Sequence, residues 1–361
     1  LRAIAAQLYV ELLAGGYTQV CEFHYLQHDL EGRTYADPLD LSWALADAAA
    51  EAGIGLTLLP VLYERAGFAQ PQLRDDQRRF RLTAQEVWAA QQRIAASGRP
   101  LVDAGVAIHS LRAAAPASIH ALRALAERFD GPVHIHVAEQ TAEVDDSLAA
   151  TGARPIEWLA RERLLDSRWQ LVHATHATRE EISAVAASGA GVVICPSTEG
   201  NLGDGVIDLP GWLAASVPIT IGSDSHVTRD WREELRWLDY SQRLALRKRN
   251  VGAAPDAGEP STAQHLFGCI TQAGAGAAGQ SRWGLVAGAR ADALVVDPRD
   301  DCLLGIPPAR LLDALVFSSP ARRWRDVMVA GRWVVSDGRH PQSDAIARRF
   351  DAAMQAIWAG D

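Results

Sequence analysis

At 361 residues, 48% of them hydrophobic and 22% charged, the chain is long enough to bury one large core. A formal charge of −9 with no long basic cluster argues against nucleic acid as a main partner, and no apolar run reaches the roughly eighteen residues of a membrane span. The four cysteines, Cys21, Cys195, Cys269 and Cys302, form no CxxC pair and no signal peptide is visible, which together predict free thiols and a cytoplasmic location.

The chain opens on Leu1 rather than methionine, and Leu1 to Leu13 already has helical spacing, with Gly15-Gly16 as its stop. A strand is expected over 17–23, with the loop His24 to Asp29 leaving it. Helix 39–52, strand 54–62 and a Pro- and Arg-rich loop to about residue 81 follow. Helix 83–97 leads to strand 106–111, and helix 116–129 to the strand that begins at Pro132. Helix 156–163 precedes strand 169–173, helix 179–188 precedes strand 191–195, and helix 209–215 precedes strand 218–224. Seven apolar strands alternate with helices and hand over to polar residues at their C-terminal ends. That pattern predicts an α/β fold of the (β/α)8 TIM barrel type lacking its first strand in this chain; an open doubly wound sheet is the alternative. The expectation is therefore that the true N-terminus lies upstream.

The barrel is expected over 1–280, closed by a helix-rich stretch after Trp231. Strand-like segments at 284–288, 291–297 and 326–335 then predict a small β-sandwich over 281–340, with a closing helix at 343–358. The basic cluster Arg243, Arg247, Lys248 and Arg249 reads as a solvated helix end.

Chemistry concentrates at the strand ends. His136 and Asp224 are metal-ligand candidates, since imidazole with carboxylate at an open site suits Zn²⁺, with Fe²⁺ or Mn²⁺ as alternatives. His134 points to the same side of its strand as His136, and spacing alone does not choose between them; His136 is nearer the C-terminal end, where a barrel places its site. Glu139, three residues on, is placed to shuttle a proton to a leaving nitrogen, and His173 to polarise the attacked group or hold hydroxide, with His176 behind it. Arg112 and His109 end another strand, and Tyr25 leaves an earlier one. A guanidinium there would grip a substrate carboxylate in bidentate fashion, and Tyr25 would bond a second acceptor. Ser197 to Gly205 lacks a phosphate-loop lysine and reads as a substrate-facing loop with turns.

The residues resemble the amidohydrolase superfamily: HxxE at His136 and Glu139, HATH at His173, SD at Asp224, and the segments GLVAGARADALVV and DVMVAGRWVV. More narrowly, CEFHYLQHDLEGRTYADP, IGLTLLPVLY, HSLRA, HIHVAEQTAEVDD, LVHATHA, STEGNLGDG and IGSDSHV resemble the formiminoglutamate deiminases. The likeness runs over nearly the whole chain.

The resemblance implies hydrolysis of the formimino C=N bond of N-formimino-L-glutamate to N-formyl-L-glutamate and ammonia at one zinc, as in histidine degradation, by a homodimer. His136 and Asp224 would be ligands, and Asp224 would also take a proton from the attacking water. Glu139 would protonate the imino nitrogen and His173 would stabilise the adduct; Tyr25, His109 and Arg112 would read the glutamate moiety. The superfamily's HxH on strand one has no counterpart before His24. This chain by itself is therefore expected to hold metal weakly and be inactive. The competing readings are a deaminase of a ring amidine, which would want stacking side chains, and a non-catalytic barrel that binds a ligand or a partner chain, which would need no acid/base set.

Overall fold

The computed structural model describes residues 1–319 and 323–359. The chain begins with helix α1 (Arg2–Ala14), strand β1 (Gln19–His24), α2 (Asp40–Ala52) and β2 (Gly55–Leu62). A 3₁₀ turn at Asp75–Phe80 leads to α3 (Ala84–Ala95), β3 (Val102–Ala104), β4 (Val106–Ile108) and α4 (Pro116–Leu125). Then come β5 (Val133–Val137), α5 (Thr141–Thr151), α6 (Pro155–Arg161), β6 (Trp169–His173), α7 (Arg179–Ser188) and β7 (Gly191–Ile194). Helices α8 (Pro196–Leu202) and α9 (Leu209–Ala214), strand β8 (Ile219–Ile221), and the longer α10 (Trp231–Leu246) and α11 (Thr262–Ala277) complete this part.

Local signals set these boundaries. Thr83 and Glu86 cap α3 reciprocally, as Thr178 and Glu181 cap α7, each pair satisfying backbone donors that a helix start leaves free. Helix α2 stops at Gly53, whose φ of 79° is left-handed and where a Cβ would come within 2.9 Å of Val334.

Seven strands pair in parallel in the order β1-β2-β4-β5-β6-β7-β8, with β3 on the first half of β2. This is the expected strand count and order. Side chains alternate between two environments, as a twofold strand repeat requires. Leu56, Leu58, Ile135, Val137, Leu171, Val192 and Ile194 join the large core between sheet and helices. Leu59, Val61 and Ala107 pack with Cys21, Phe23 and Tyr25 on the other face, and Val172, Val193 and Cys195 cluster there too.

The N-terminal end of the sheet is plugged by the end of α11, whose last carbonyls have no partner within the helix. His134 Nε2 donates to Ala277 O at 2.8 Å, Cys21 Sγ to the same oxygen at 3.4 Å, and Thr57 Oγ1 to Ala278 O at 2.9 Å. Depth thus separates His134 from His136, which lies nearer the C-terminal end of β5. His134 is a structural donor, and burial pushes its pKa down to about 4, keeping it neutral. Its replacement, His134→Leu, is expected to cost about 1–3 kcal/mol in urea unfolding by removing the shorter of the two bonds to Ala277 O; an unchanged unfolding curve would contradict the structural role.

Beyond α11 lie β9 (Ala293–Val295), α12 (Leu311–Asp313), β10 (Asp326–Val329), β11 (Arg332–Val335) and α13 (Ser343–Trp358). The three strands form one antiparallel sheet in the order β11-β10-β9. Where a sandwich was expected, the described residues hold this single sheet, and 284–288 is not a strand. Gly284 and Gly288 sit at φ 96° and 84°, outside strand geometry, and Leu285 and Val286 between them are exposed. The sheet is tied to the barrel by Arg290, which donates to Gln19 Oε1 at 2.7 Å, and by His340, which donates to Ala52 O at 2.9 Å, while α13 packs on α1. All four cysteines are free thiols.

Candidate active site

At the C-terminal ends of the strands the backbone leaves ordinary strand geometry. Ala138, His173, Ala174, Asp224 and His226 all have φ between 39° and 69°, a region costing about 1–2 kcal/mol for a residue with a Cβ. At His173 the consequence is direct. Alternation along β6 would send its side chain outward with Leu171; the left-handed turn instead brings the ring over His136, with centroids 5.5 Å apart and planes 21° apart.

His136 projects from β5 with its Nδ1 donating to His109 O at 3.0 Å, which leaves the Nε2 lone pair free. Burial first, then the neighbouring His109 and His173, hold its pKa well below the usual imidazole range, so the ring is neutral. Phe23 lies against it at 4.1 Å between centroids.

Beside it three carboxylates converge on His173. His173 Nε2 is 3.7 Å from Glu139 Oε1 and 4.0 Å from Asp224 Oδ2, and its Nδ1 is 3.3 Å from Glu199 Oε1. Burial works against charge on His173, but the Glu199 hydrogen bond and the charges of Glu139, Glu199 and Asp224 outweigh it and raise its pKa. For Glu139 burial dominates and raises the carboxyl, although His173 and Arg112 pull the other way. Its backbone N–H is held by Glu143 Oε2 at 3.0 Å.

Arg112 closes one side, with a terminal nitrogen 3.8 Å from Glu139 Oε2. Its Nε is buried with no hydrogen-bond partner among the described residues, a donor that an anion could satisfy. His109, pushed down to about 3 by burial and by Arg112, is neutral. Its ring meets Tyr63 at 4.5 Å and Tyr25 at 5.4 Å, and Tyr25 meets Phe80 at 5.0 Å. Burial raises the Tyr25 hydroxyl and the charge of Asp224 adds to it.

Seven of the residues singled out from the sequence thus lie in one cluster: Tyr25, His109, Arg112, His136, Glu139, His173 and Asp224. His176 stands behind, its Nε2 donating to Asp204 O at 2.8 Å. Sequence reading missed three residues. Tyr63 was legible, since it follows Val61 in phase on the inner face. Phe80 was not, because it arrives on a 3₁₀ turn in the Pro- and Arg-rich loop. Glu199 belongs to α8 where a loop was expected; Pro196 as first helical residue, followed by an acid three positions on, was the available signal.

Helix α8 is anchored by Glu234, a fully buried carboxylate on α10 that accepts from Ser197 N at 3.0 Å and Ser197 Oγ at 2.6 Å. Burial pushes its pKa up from 4.5 to about 7. A carboxyl whose folded pKa lies above its unfolded value contributes stability that is full below the unfolded pKa and lost as pH rises through the folded one. Unfolding stability should therefore fall between about pH 4.5 and 7 by up to ~3 kcal/mol on this account. Glu234→Gln should flatten that fall in urea titrations at pH 5 and pH 8; an unchanged fall would remove Glu234 as its source.

The amidohydrolase family model matches residues 2–334. The chain belongs to the amidohydrolase family. It is 48% identical over 354 residues to formimidoylglutamate deiminase of Pseudomonas aeruginosa, an alignment covering 97% of this chain and 77% of that protein. The crystal structure of an amidohydrolase from Brucella melitensis superposes with a TM-score of 0.92 at 40% identity, over 99% of this chain and 78% of that one. An atrazine chlorohydrolase from Arthrobacter aurescens, solved with zinc, shares the fold with a TM-score of 0.81 at 22% identity, over 97% of this chain and 76% of that one. As an amidohydrolase with this set of side chains, the protein is an enzyme whose site faces a small molecule. No helix among the described residues is long and apolar enough to cross a membrane.

The donor set tests the fit of a metal. His136 Nε2 and the Asp224 carboxylate have the right chemistry, but among the described residues no group of three or more His, Cys, Asp or Glu side chains could hold an ion. Two donors are one short of the three protein ligands usual at a catalytic zinc.

Proposed function

We propose that the protein hydrolyses N-formimino-L-glutamate to N-formyl-L-glutamate and ammonia. The observation that carries this reading is the placement of Arg112. Its guanidinium, with a buried Nε that has no partner among the described residues, stands beside the acid/base group Glu139, as an amidine that also bears carboxylates requires. The 48% identity to formimidoylglutamate deiminase supports the same substrate.

In this reading Arg112 and the Tyr25 hydroxyl hold the glutamate carboxylates, with His109 packed beside them, and the formimino carbon lies between His173 and Asp224. Asp224 takes a proton from the attacking water as its oxygen bonds to that carbon. Glu139, whose carboxyl burial raises, delivers a proton to the imino nitrogen to give an amino adduct; Glu139 then takes the proton of the adduct hydroxyl as the C=O forms, the proton held by Asp224 passes to the amino nitrogen, and the C–N bond breaks to release ammonia. His173 Nε2, close to both carboxylates, stabilises the adduct's oxygen. When bound, a divalent metal, zinc by preference, would lower the pKa of water to about 7; His136 and Asp224 are the groups in this chain that would hold it.

The same reading carries a homodimer and a cytoplasmic enzyme, and sedimentation of the purified protein checks the first. The test of function is ammonia release, with zinc supplied, from N-formimino-L-glutamate, an uncharged N-alkylformamidine and an aminopurine. Turnover of the first at least about 10²-fold above the others in kcat/KM is expected from loss of a charge-assisted pair. Preference for the aminopurine would contradict the assignment.

A further inference from the structure

His173 is the group that faces both Glu139 and Asp224, yet neither is within hydrogen-bond distance of its ring. We propose that Glu199 is the positioning residue for His173, holding the imidazole proton on Nδ1 so that Nε2 is directed at the reacting atoms.

The geometry points to this from three sides. Glu199 Oε1 lies 3.3 Å from His173 Nδ1, and the backbone N–H of Cys195 also points at that oxygen, which marks it as an acceptor and leaves the proton in the histidine contact on the ring. The carboxylate is itself fixed: the same Oε1 accepts from Cys195 N at 2.9 Å, and Glu199 sits in the first turn of α8, which Glu234 pins through Ser197. Finally, Glu199 is 3% exposed and its one ion-pair partner among the described residues is His173. A buried carboxylate set against a histidine rather than a guanidinium is costly to keep for packing alone. It is what an imidazole needs if one nitrogen must carry the proton and the other must be free to meet a water or an adduct oxygen.

A structural role is the rival: Glu199 would merely bond the Cys195 amide and complete the turn from β7 into α8. The two differ in what happens to the ring. The experiment records ¹⁵N chemical shifts of the His173 ring in the whole protein, at a pH where the ring is neutral, for the parent, Glu199→Leu and Glu199→Gln. The parent should show Nδ1 protonated and Nε2 bare. Glu199→Leu should move the proton to Nε2 and lower kcat by about 10²–10³-fold with KM within about threefold, the kind of loss a wrong tautomer causes in other His-dependent hydrolases. Glu199→Gln keeps an acceptor oxygen, and should keep the Nδ1 proton and lose about tenfold or less. If Glu199→Leu does not fold, the parent and Glu199→Gln rings decide. A parent ring protonated on Nε2, a Glu199→Leu ring unchanged from the parent, or a Glu199→Gln ring that loses its Nδ1 proton overturns the proposal. Only the turnover arm rests on the deiminase reading; the ring signals need no substrate, so failure of that reading leaves this test intact.

Discussion

Glu139→Gln is expected to lower kcat for ammonia release by about 10³-fold while leaving KM within about threefold, because it removes a proton donor and almost nothing else. The amide matches the carboxyl in size, so the contacts with His173 at 3.7 Å and Arg112 at 3.8 Å need not collapse. What it cannot do is give up a proton to the imino nitrogen. The carboxyl can, because burial raises its pKa against the opposing pull of His173 and Arg112. Turnover retained above about a tenth of the parent's would mean that another group delivers the proton.

Arg112→Met is expected to act mainly on KM, raising it about 10²-fold for N-formimino-L-glutamate, the consequence of losing a charge-assisted pair in a half-buried setting. An N-alkylformamidine without carboxylates should not register the change in KM. A second effect carries a definite sign. Arg112 holds the Glu139 carboxyl down, so its removal lets the Glu139 pKa rise, and the limb of the kcat profile controlled by Glu139 should move to higher pH. Equal KM increases for the charged and uncharged amidines would show that Arg112 supports the site rather than grips the substrate.

Much of this arrangement is legible in the chain because the physics is local. A buried parallel strand announces itself by a short β-branched run, and the residue that ends it lies at the mouth of the sheet, so His136, Glu139, His173 and Asp224 could be placed before any coordinates. Even His134 could be set on the same side as His136. What spacing could not supply was depth, which depends on α11 arriving from 143 residues away to receive the His134 proton.

His173 shows a subtler limit. Its period-two position points outward, and only a φ of 69° turns the ring into the site. A backbone strain held by tertiary contacts leaves no mark in the residue pattern. Glu199 was hidden for another reason: a seven-residue helix is too short for a hydrophobic period, so its turn residues read as loop. The segment at 284–288 fails in the opposite sense, since Gly-Leu-Val-Ala-Gly looks like a strand but finds no partner, and strands exist only by pairing.

The most direct test of the central claim is a crystal structure of the zinc-supplied Glu139→Gln protein with N-formimino-L-glutamate bound. The account predicts a carboxylate of the substrate in bidentate contact with Arg112 at about 2.8–3.0 Å and the formimino carbon between His173 Nε2 and Asp224, its imino nitrogen toward residue 139. A substrate whose carboxylates lie away from Arg112, or whose formimino group points out of the strand ends, would contradict both the assignment of the residues and the reaction built on them.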